Sequence, residues 1–288
     1  MSKIHRTINT ITNIETKRDI TIIHLSDIHF NIDTRMKTLN KIREEIYKNN
    51  PDYVVITGDL IDTPAITKNK KKIKQLLMFL TDISNFTKLL ISIGNHDVWN
   101  NSDYKFFNNL NQLNNIYVLD NQAYKDDYIY IAGFTLPPRY YYNITGKESL
   151  DTLLETITPH KKILRNLPLN IPKIALIHSP VLIPKKEVLD LFKEYDIILS
   201  GHTHNGMVPR FLEKIFPKNR GIIAPNKRIY PSIARGVIEK TLGTHKITLI
   251  ISGGVTKLSK HTGKILNRLK FVYDISINKI IIEKRRLK

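Results

Sequence analysis

The sequence predicts an α/β fold on three grounds. Short β-branched runs alternate with helical periodicity, polar residues suited to chemistry collect where those runs end, and strand runs follow one another without a long helix toward the C-terminus. The first set of runs is ITIIHLS (20–26), YVVIT (53–57), KLLISI (88–93), YIYIAG (128–133), KIALIH (173–178) and DIILS (196–200). Continuous apolar stretches of this length suit strands buried on both faces. Between the first two, Met36, Leu39, Ile42 and Ile46 recur at helical spacing, and Ile73, Leu76, Leu77, Leu80 and Ile83 do so before the third. Asn49, Asn50 and Pro51 end the first of these helices. Strand, helix, strand at such intervals predicts right-handed crossovers and parallel pairing.

The C-terminal part differs. KITLIIS (246–252), FVYDIS (271–276) and KIIIEK (279–284) predict an antiparallel extension or a second sheet. Residues 205–240 mix Pro, Gly, aromatic and basic residues without steady periodicity, and read as a long basic lid or elaboration. Residues 1–19 read as an N-terminal extension, and 1–288 as one domain.

Composition narrows the classes. With 41% hydrophobic and 25% charged residues, the chain is unlike disordered sequences. A formal charge of +19 attracts anionic partners, whether nucleic acid, a phospholipid surface or phosphorylated metabolites, although a Lys-rich codon bias accounts for it equally well. The absence of cysteine excludes disulfides and thiolate metal sites, so any metal is held by imidazole, carboxylate or amide groups. The first twenty residues contain no apolar signal region, and no run of 18 apolar residues occurs. A soluble, cytoplasmic protein is the expectation, with peripheral contact at the inner membrane surface open and no protein partner indicated.

The chemistry sits at strand C-terminal ends, the edge at which open α/β sheets bind ligands. The first strand runs into Ser26, Asp27, Ile28 and His29, the second into Gly58, Asp59, Leu60, Ile61 and Asp62, and the third into Gly94, Asn95, His96 and Asp97. Two later strands end in His178 with Ser179, and in Gly201, His202, Thr203 and His204. In extended chain, Asp27 with His29 and His202 with His204 each present two donors on one face. Carboxylate, imidazole and one amide oxygen favour Mn, Fe or Zn over an all-oxygen cage. Seven candidate ligands (Asp27, His29, Asp59, Asn95, His178, His202, His204) exceed what one ion accepts, which favours two ions with Asp59 able to bridge them. His24 reads as a packing residue, and His5, His160, His245 and His261 as surface residues.

In their order and spacing, Asp27-Ile28-His29, Gly58-Asp59, Gly94-Asn95-His96-Asp97, His178 and Gly201-His202-Thr203-His204 resemble the signature of calcineurin-like metallophosphoesterases. The resemblance implies a four-layer sandwich, two packed mixed β-sheets flanked by helices. It implies two divalent metal ions (Mn, Fe or Zn), one on Asp27, His29, Asp59 and His204, the other on Asp59, Asn95, His178 and His202. His96 becomes a catalytic residue near the leaving group, with Asp97 orienting it. The nearest subfamily likeness is to small bacterial phosphoesterases related to UDP-diacylglucosamine hydrolases. The reaction implied is attack of a metal-bridged hydroxide on phosphorus, in a phosphodiesterase for a small or lipid-linked anionic substrate. The alternatives are a metal-dependent nuclease and a non-catalytic metal-binding scaffold.

Substrate contacts fall on the elaborations. Arg139 and Tyr140 read either as a cation with an aromatic face for a base or sugar, or as packing residues. Arg210 is the third candidate. The surrounding segment 209–220 reads as a lid packing its apolar side on the domain, or as a patch for an anionic bilayer surface.

Overall fold

Alternation within the β-branched runs decides which layer each side chain joins. In the computed structural model, which describes residues 3–97, 101–137, 141, 147–180, 186–224, 229–255 and 274–284, the strands assort into two six-stranded sheets. The first contains β1 (Ile4–Ile11), β2 (Ile20–Leu25), β3 (Tyr53–Thr57), β4 (Lys88–Ser92), β5 (Ile116–Leu119) and β12 (Ile275–Ile282), in the order β1-β12-β2-β3-β4-β5. The second contains β6 (Ala123–Lys125), β7 (Tyr130–Phe134), β8 (Lys173–Ile177), β9 (Ile197–Ser200), β10 (Gly236–Leu242) and β11 (His245–Ile251), in the order β10-β11-β9-β8-β7-β6.

Both sheets are mixed. β2 through β5 run parallel, as do β7, β8, β9 and β11, while β12 against β2, β10 against β11 and β6 against β7 are antiparallel. Ile22, Val55, Leu90, Ile174 and Leu199 fill the space between the sheets. The alternate residues Ile23, Val54, Ile56 and Leu89 turn outward under helices α1 (Met36–Asn49) and α2 (Lys70–Phe86). Likewise Ala175, Ile177 and Ile198 pack beneath α4 (Lys147–Arg165) and α5 (Lys186–Leu191). A further helix, α3 (Asn101–Leu110), precedes β5. Two mixed sheets with flanking helices are therefore the architecture, as the family resemblance implies.

Several local expectations are corrected. Residues 4–11 of the presumed extension form β1, paired in parallel with β12. Thr7, Asn9 and Ile11 are its more buried side and Arg6, Ile8 and Thr10 its exposed one, so polar groups on both faces mask the strand from a hydrophobicity reading. The strands expected at 271–276 and 279–284 are instead one strand, β12, with residues 271–273 outside the described residues. Part of the expected 205–240 loop is strand β10, because it extends β11 by an antiparallel hairpin. His160 is no surface residue. It is buried in α4, with Nδ1 2.9 Å from the Tyr130 hydroxyl. His261 lies outside the described residues. His24 does pack internally, its Nε2 2.8 Å from Thr57 Oγ1, and burial drives its pKa down to about 3, so it is neutral.

At the N-terminal ends of the parallel strands, Asp126 ties the two sheets together. Its carboxylate accepts from the Tyr53 hydroxyl at 2.7 Å, the Tyr124 hydroxyl at 2.8 Å and Lys88 Nζ at 2.9 Å. Burial alone would raise its pKa, but the hydrogen bonds from Lys88, Tyr53, the Tyr128 amide and Tyr124 hold it at about 2. A carboxyl depressed from its ordinary value of 3.8 stabilises the fold above that value and loses the contribution as pH falls toward 2. Asp126→Asn is therefore expected to cost about 1–2 kcal/mol at pH 7 after allowance for solvent screening. The gap to wild type should narrow from about pH 5 downward, and urea melts across that range would disprove the account if it stayed constant.

Candidate metal centre

Beyond the ends of β2 and β3 the two chains continue to pair, with the Asp27 N–H on the Gly58 carbonyl at 3.1 Å and the His29 N–H on the Asp59 carbonyl at 2.9 Å. The backbone there is not simply extended. Asp27, His29 and Asp59 have φ of 52°, 46° and 52°, and His202 and His204 have 66° and 47°. Left-handed conformations at non-glycine residues are uncommon and cluster at functional sites. They turn five carboxylates and imidazoles into one buried space between the sheets.

The chain packs tightly to close that space. A Cβ on Gly201 would collide with Ser26 Oγ and the Asp27 carboxylate, and one on Gly94 would collide with Asp59 Oδ1 and the Asp59 amide. Only glycine at these two positions lets the ends of β4 and β9 approach those of β2 and β3.

Three groups of candidate donors result among the described residues. Asp27, His29 and His204 converge in one, Asp59, His178 and His202 in another, and His29 also stands in a third with Asp62 and His96. His202 and His204 fall in different groups, as the family resemblance implies, and not on one face as an extended chain would put them, since both have positive φ. Between the first two groups lies Asp59 Oδ2, 3.5 Å from His29 Nε2 and 3.2 Å from His178 Nε2. Its other oxygen, Oδ1, accepts the His96 amide at 2.8 Å. Asp27 Oδ1 stands 3.8 Å from His29 Nε2 and 3.7 Å from His204 Nε2, while both of its oxygens accept the His202 amide. Asn95 is buried in the loop between Gly94 and Asp97.

The ring orientations suit ligation. His178 Nδ1 is 2.7 Å from the Thr57 carbonyl, which can only accept, so Nδ1 carries a proton and Nε2 is the nitrogen that faces Asp59. Neither Nε2 of His29 nor Nε2 of His178 makes a hydrogen bond, although both are buried. Buried polar atoms without partners are costly and call for an explanation. A shared cation supplies one, since donors each about 2.1 Å from one ion stand roughly 3.0–3.5 Å apart. The protein's own charges point the same way. Burial opposes ionisation of Asp59, yet His178 and His29 keep its pKa well below the ordinary carboxylate value. Burial opposes charge on His178, but Asp59 raises its pKa to about 9, so without a cation Nε2 carries a proton toward Asp59, and a metal held there would take that proton's place. His202, shielded by burial and facing His178, falls to about 3 and stays neutral, as a ligand must.

His96 and Asp97 are placed differently from the expectation. Asp97 does not orient the His96 ring. The turn at Gly94 folds its carboxylate back onto the amides of Gly94 at 2.8 Å and Ile61 at 3.0 Å, where it fastens the two ligand loops together. Burial and the nearby Asp59 raise its pKa to about 7. The orienting group is Asp62, whose carbonyl accepts from His96 Nδ1 at 2.8 Å and whose carboxylate lies 3.4 Å from His29 Nδ1. Asp62 stands three residues after Asp59 at a strand end, which is the signal that could have assigned it. Arg210 pairs with Asp274. Arg139 and Tyr140 lie outside the described residues.

The calcineurin-like phosphoesterase profile matches residues 20–206, which contain every one of these donors. The chain belongs to that family. An uncharacterized metallophosphoesterase of Campylobacter jejuni is 30% identical over 196 residues, 68% of this chain and 47% of that protein. Another from Aquifex aeolicus is 26% identical over 229 residues, covering 76% and 77% of the two chains. The chain thus spans about half the length of the first of these relatives. The crystal structure of TT1561 of Thermus thermophilus shares the fold, with a TM-score of 0.51 at 12% identity over 80% of this chain and 88% of the other. The matched residues make up a calcineurin-like phosphoesterase domain that carries the candidate metal donors. No helix among its described residues is long and apolar enough to cross a membrane.

Proposed function

We propose that this phosphoesterase works with two divalent cations of the Mn, Fe or Zn type. One is held by Asp27, His29 and His204, the other by His178, His202 and Asn95, and Asp59 is shared. The observation that carries this reading is the position of Asp59 Oδ2, which faces an imidazole nitrogen of each group. Such a cation pair, when bound, acidifies a water and neutralises charge on the phosphoryl oxygens. The rest of the chemistry belongs to the chain. The Asp62 carbonyl fixes the Nδ1 proton of His96, leaving Nε2 to exchange a proton with the departing oxygen. Asp97 holds the loops of Asp59 and Asn95 in register. Arg139, Tyr140 and Arg210 remain candidates for substrate contact, and one domain over 1–288 remains the proposed organisation.

The substrate class proposed is a phosphodiester, small or lipid-linked, and the place of work is the cytoplasmic side of the cell, with peripheral membrane contact. The test is reconstitution of metal-free protein with Mn, Zn, Fe or Mg, followed by assays on mono- and bis-nitrophenyl phosphate, nucleotides, nucleic acids and lipid-linked diphosphates. Two metal equivalents per chain and faster turnover of the bis ester are expected. A single equivalent overturns the two-cation reading. Steeply salt-dependent cleavage of DNA or RNA would favour a nuclease instead, and no turnover of any ester with metals bound would favour a scaffold.

A further inference from the structure

The described residues 205–224 and 229–235 form a cap that starts one position after His204, and this cap exposes apolar side chains. Phe211, Ile215 and Ile229 are 70%, 78% and 79% exposed. The lid expected at 209–220 would bury Phe211 and Ile215 with Leu212 and Phe216, and only the last two are partly covered. Beneath the cap lies a cavity of about 430 Å³, lined by polar groups that include Asn9, Asn205, Lys218 and Asn278.

The exposure is not that of a loose loop. The Arg235 guanidinium donates to the carbonyls of Arg220 at 3.0 Å and Phe216 at 3.1 Å, and Asn219 Nδ2 to the carbonyls of Arg235 at 2.8 Å and Val237 at 3.1 Å. Asn205 Nδ2 donates to Glu213 Oε1 at 2.6 Å within the cap, and Thr203 Oγ1, between His202 and His204, donates to the Ala234 carbonyl at 2.7 Å, so the far end of the cap is tied to the metal site. Its two halves also touch. The Phe216 and Tyr230 rings meet edge to face at 5.9 Å, and Ile223 bridges to Ile229. These contacts hold the segments that carry Ile215 and Ile229 against each other.

Charge accompanies the apolar tips. Residues 205–235 hold seven basic side chains (Arg210, Lys214, Lys218, Arg220, Lys227, Arg228, Arg235) against one acid, Glu213. Arg210 is engaged by Asp274 and Arg235 by carbonyls, while Arg220 lies over the Tyr230 ring at 4.9 Å. Large apolar tips set among cations suit the boundary between headgroups and acyl chains, where both kinds of group are satisfied. Nucleic acid would meet the cations but leave three large apolar groups against phosphate and water.

We infer that the cap is a docking surface for an anionic phospholipid bilayer, in which Phe211, Ile215 and Ile229 enter the interface and Lys214, Lys218 and Arg220 meet lipid phosphates. Docking there brings the metal centre to the membrane surface, so phosphoesters exposed at that surface become its substrates; this last step rests on the hydrolase reading above.

The experiment is cosedimentation of the full chain with vesicles of phosphatidylcholine alone, or with about 30% phosphatidylglycerol, together with turnover of soluble bis-nitrophenyl phosphate. Wild type should bind the anionic vesicles, and binding should weaken with salt over the range set by screening. Phe211→Ser/Ile215→Ser/Ile229→Ser should lose binding at least 10-fold while keeping soluble turnover, and Lys214→Glu/Lys218→Glu should lose it on anionic vesicles. Should the triple variant fail to fold, Ile229→Ser and the lysine pair carry the test. Absence of wild-type binding to anionic vesicles, or equal binding by the variants, overturns docking. Loss of soluble turnover in wild type overturns the hydrolase reading and leaves docking standing.

Discussion

Asp59→Asn is expected to leave a folded protein that no longer retains metal and turns over phosphoesters about 10³-fold more slowly, or worse. The substitution keeps shape and volume, and an amide oxygen can still accept the His96 N–H that Asp59 Oδ1 accepts at 2.8 Å. What it removes is the charge between the two imidazoles at 3.5 and 3.2 Å. No other described carboxylate lies so close to an imidazole of both donor groups. Asp27 comes only to 3.7–4.0 Å of the rings of His29, His204 and His178. Losing a partner that merely orients a ligand typically costs about 10- to 100-fold in metal affinity. Losing a shared ligand should weaken both sites by more than that, and with both cations gone the charge neutralisation they supply goes too. Metal content after gel filtration, read beside bis-nitrophenyl phosphate turnover, checks this. A variant that kept two equivalents would show that Asp59 is not shared.

The donors themselves were legible in the sequence because each follows a strand whose apolar run is unmistakable. Asp27, Asp59, Asn95, His178 and His202 all stand just past β-branched segments that can only be buried, and the α/β class follows from the same alternation. The conformations that gather the donors were not legible. Positive φ at Asp27, His29, Asp59, His202 and His204 costs roughly 1–2 kcal/mol per residue and is imposed by tertiary packing, which local propensity does not record. For that reason an extended-strand argument paired His202 with His204, whereas the fold divides them between two groups. The orienting role that the family resemblance implies for Asp97 falls to Asp62, since a turn sends the carboxylate adjacent to His96 backward and brings a carbonyl from another strand end forward. β1 was hidden because an edge strand with Thr7 and Asn9 on one face and Arg6 and Thr10 on the other shows no hydrophobic alternation. The cap was recognised as an elaboration, but which of its side chains face water depends on Arg235 and Asn219 holding its carbonyls, and no periodicity reports that.

The corrected environment of His96 gives a second large effect. His96→Ala is expected to bind metals as wild type does and to lower kcat by about 10²- to 10⁴-fold, the usual contribution of a positioned proton donor. The ring groups with His29 and Asp62 and not with the two donor sets that flank Asp59, and its backbone N–H, which holds Asp59 Oδ1, survives the substitution. Its side chain is partly open to solvent, as a group that meets a leaving oxygen must be. Because the Asp62 carbonyl accepts from Nδ1, protonation chemistry falls to Nε2, and help is needed most where the leaving group is a poor one. The loss should therefore be large for an alkyl phosphodiester and small for a nitrophenyl ester, whose leaving oxygen needs little protonation. An equal loss for both leaving groups, with metals still bound, would place His96 in binding the phosphoryl group and not in protonating the leaving oxygen. Unchanged turnover of both would remove it from the mechanism.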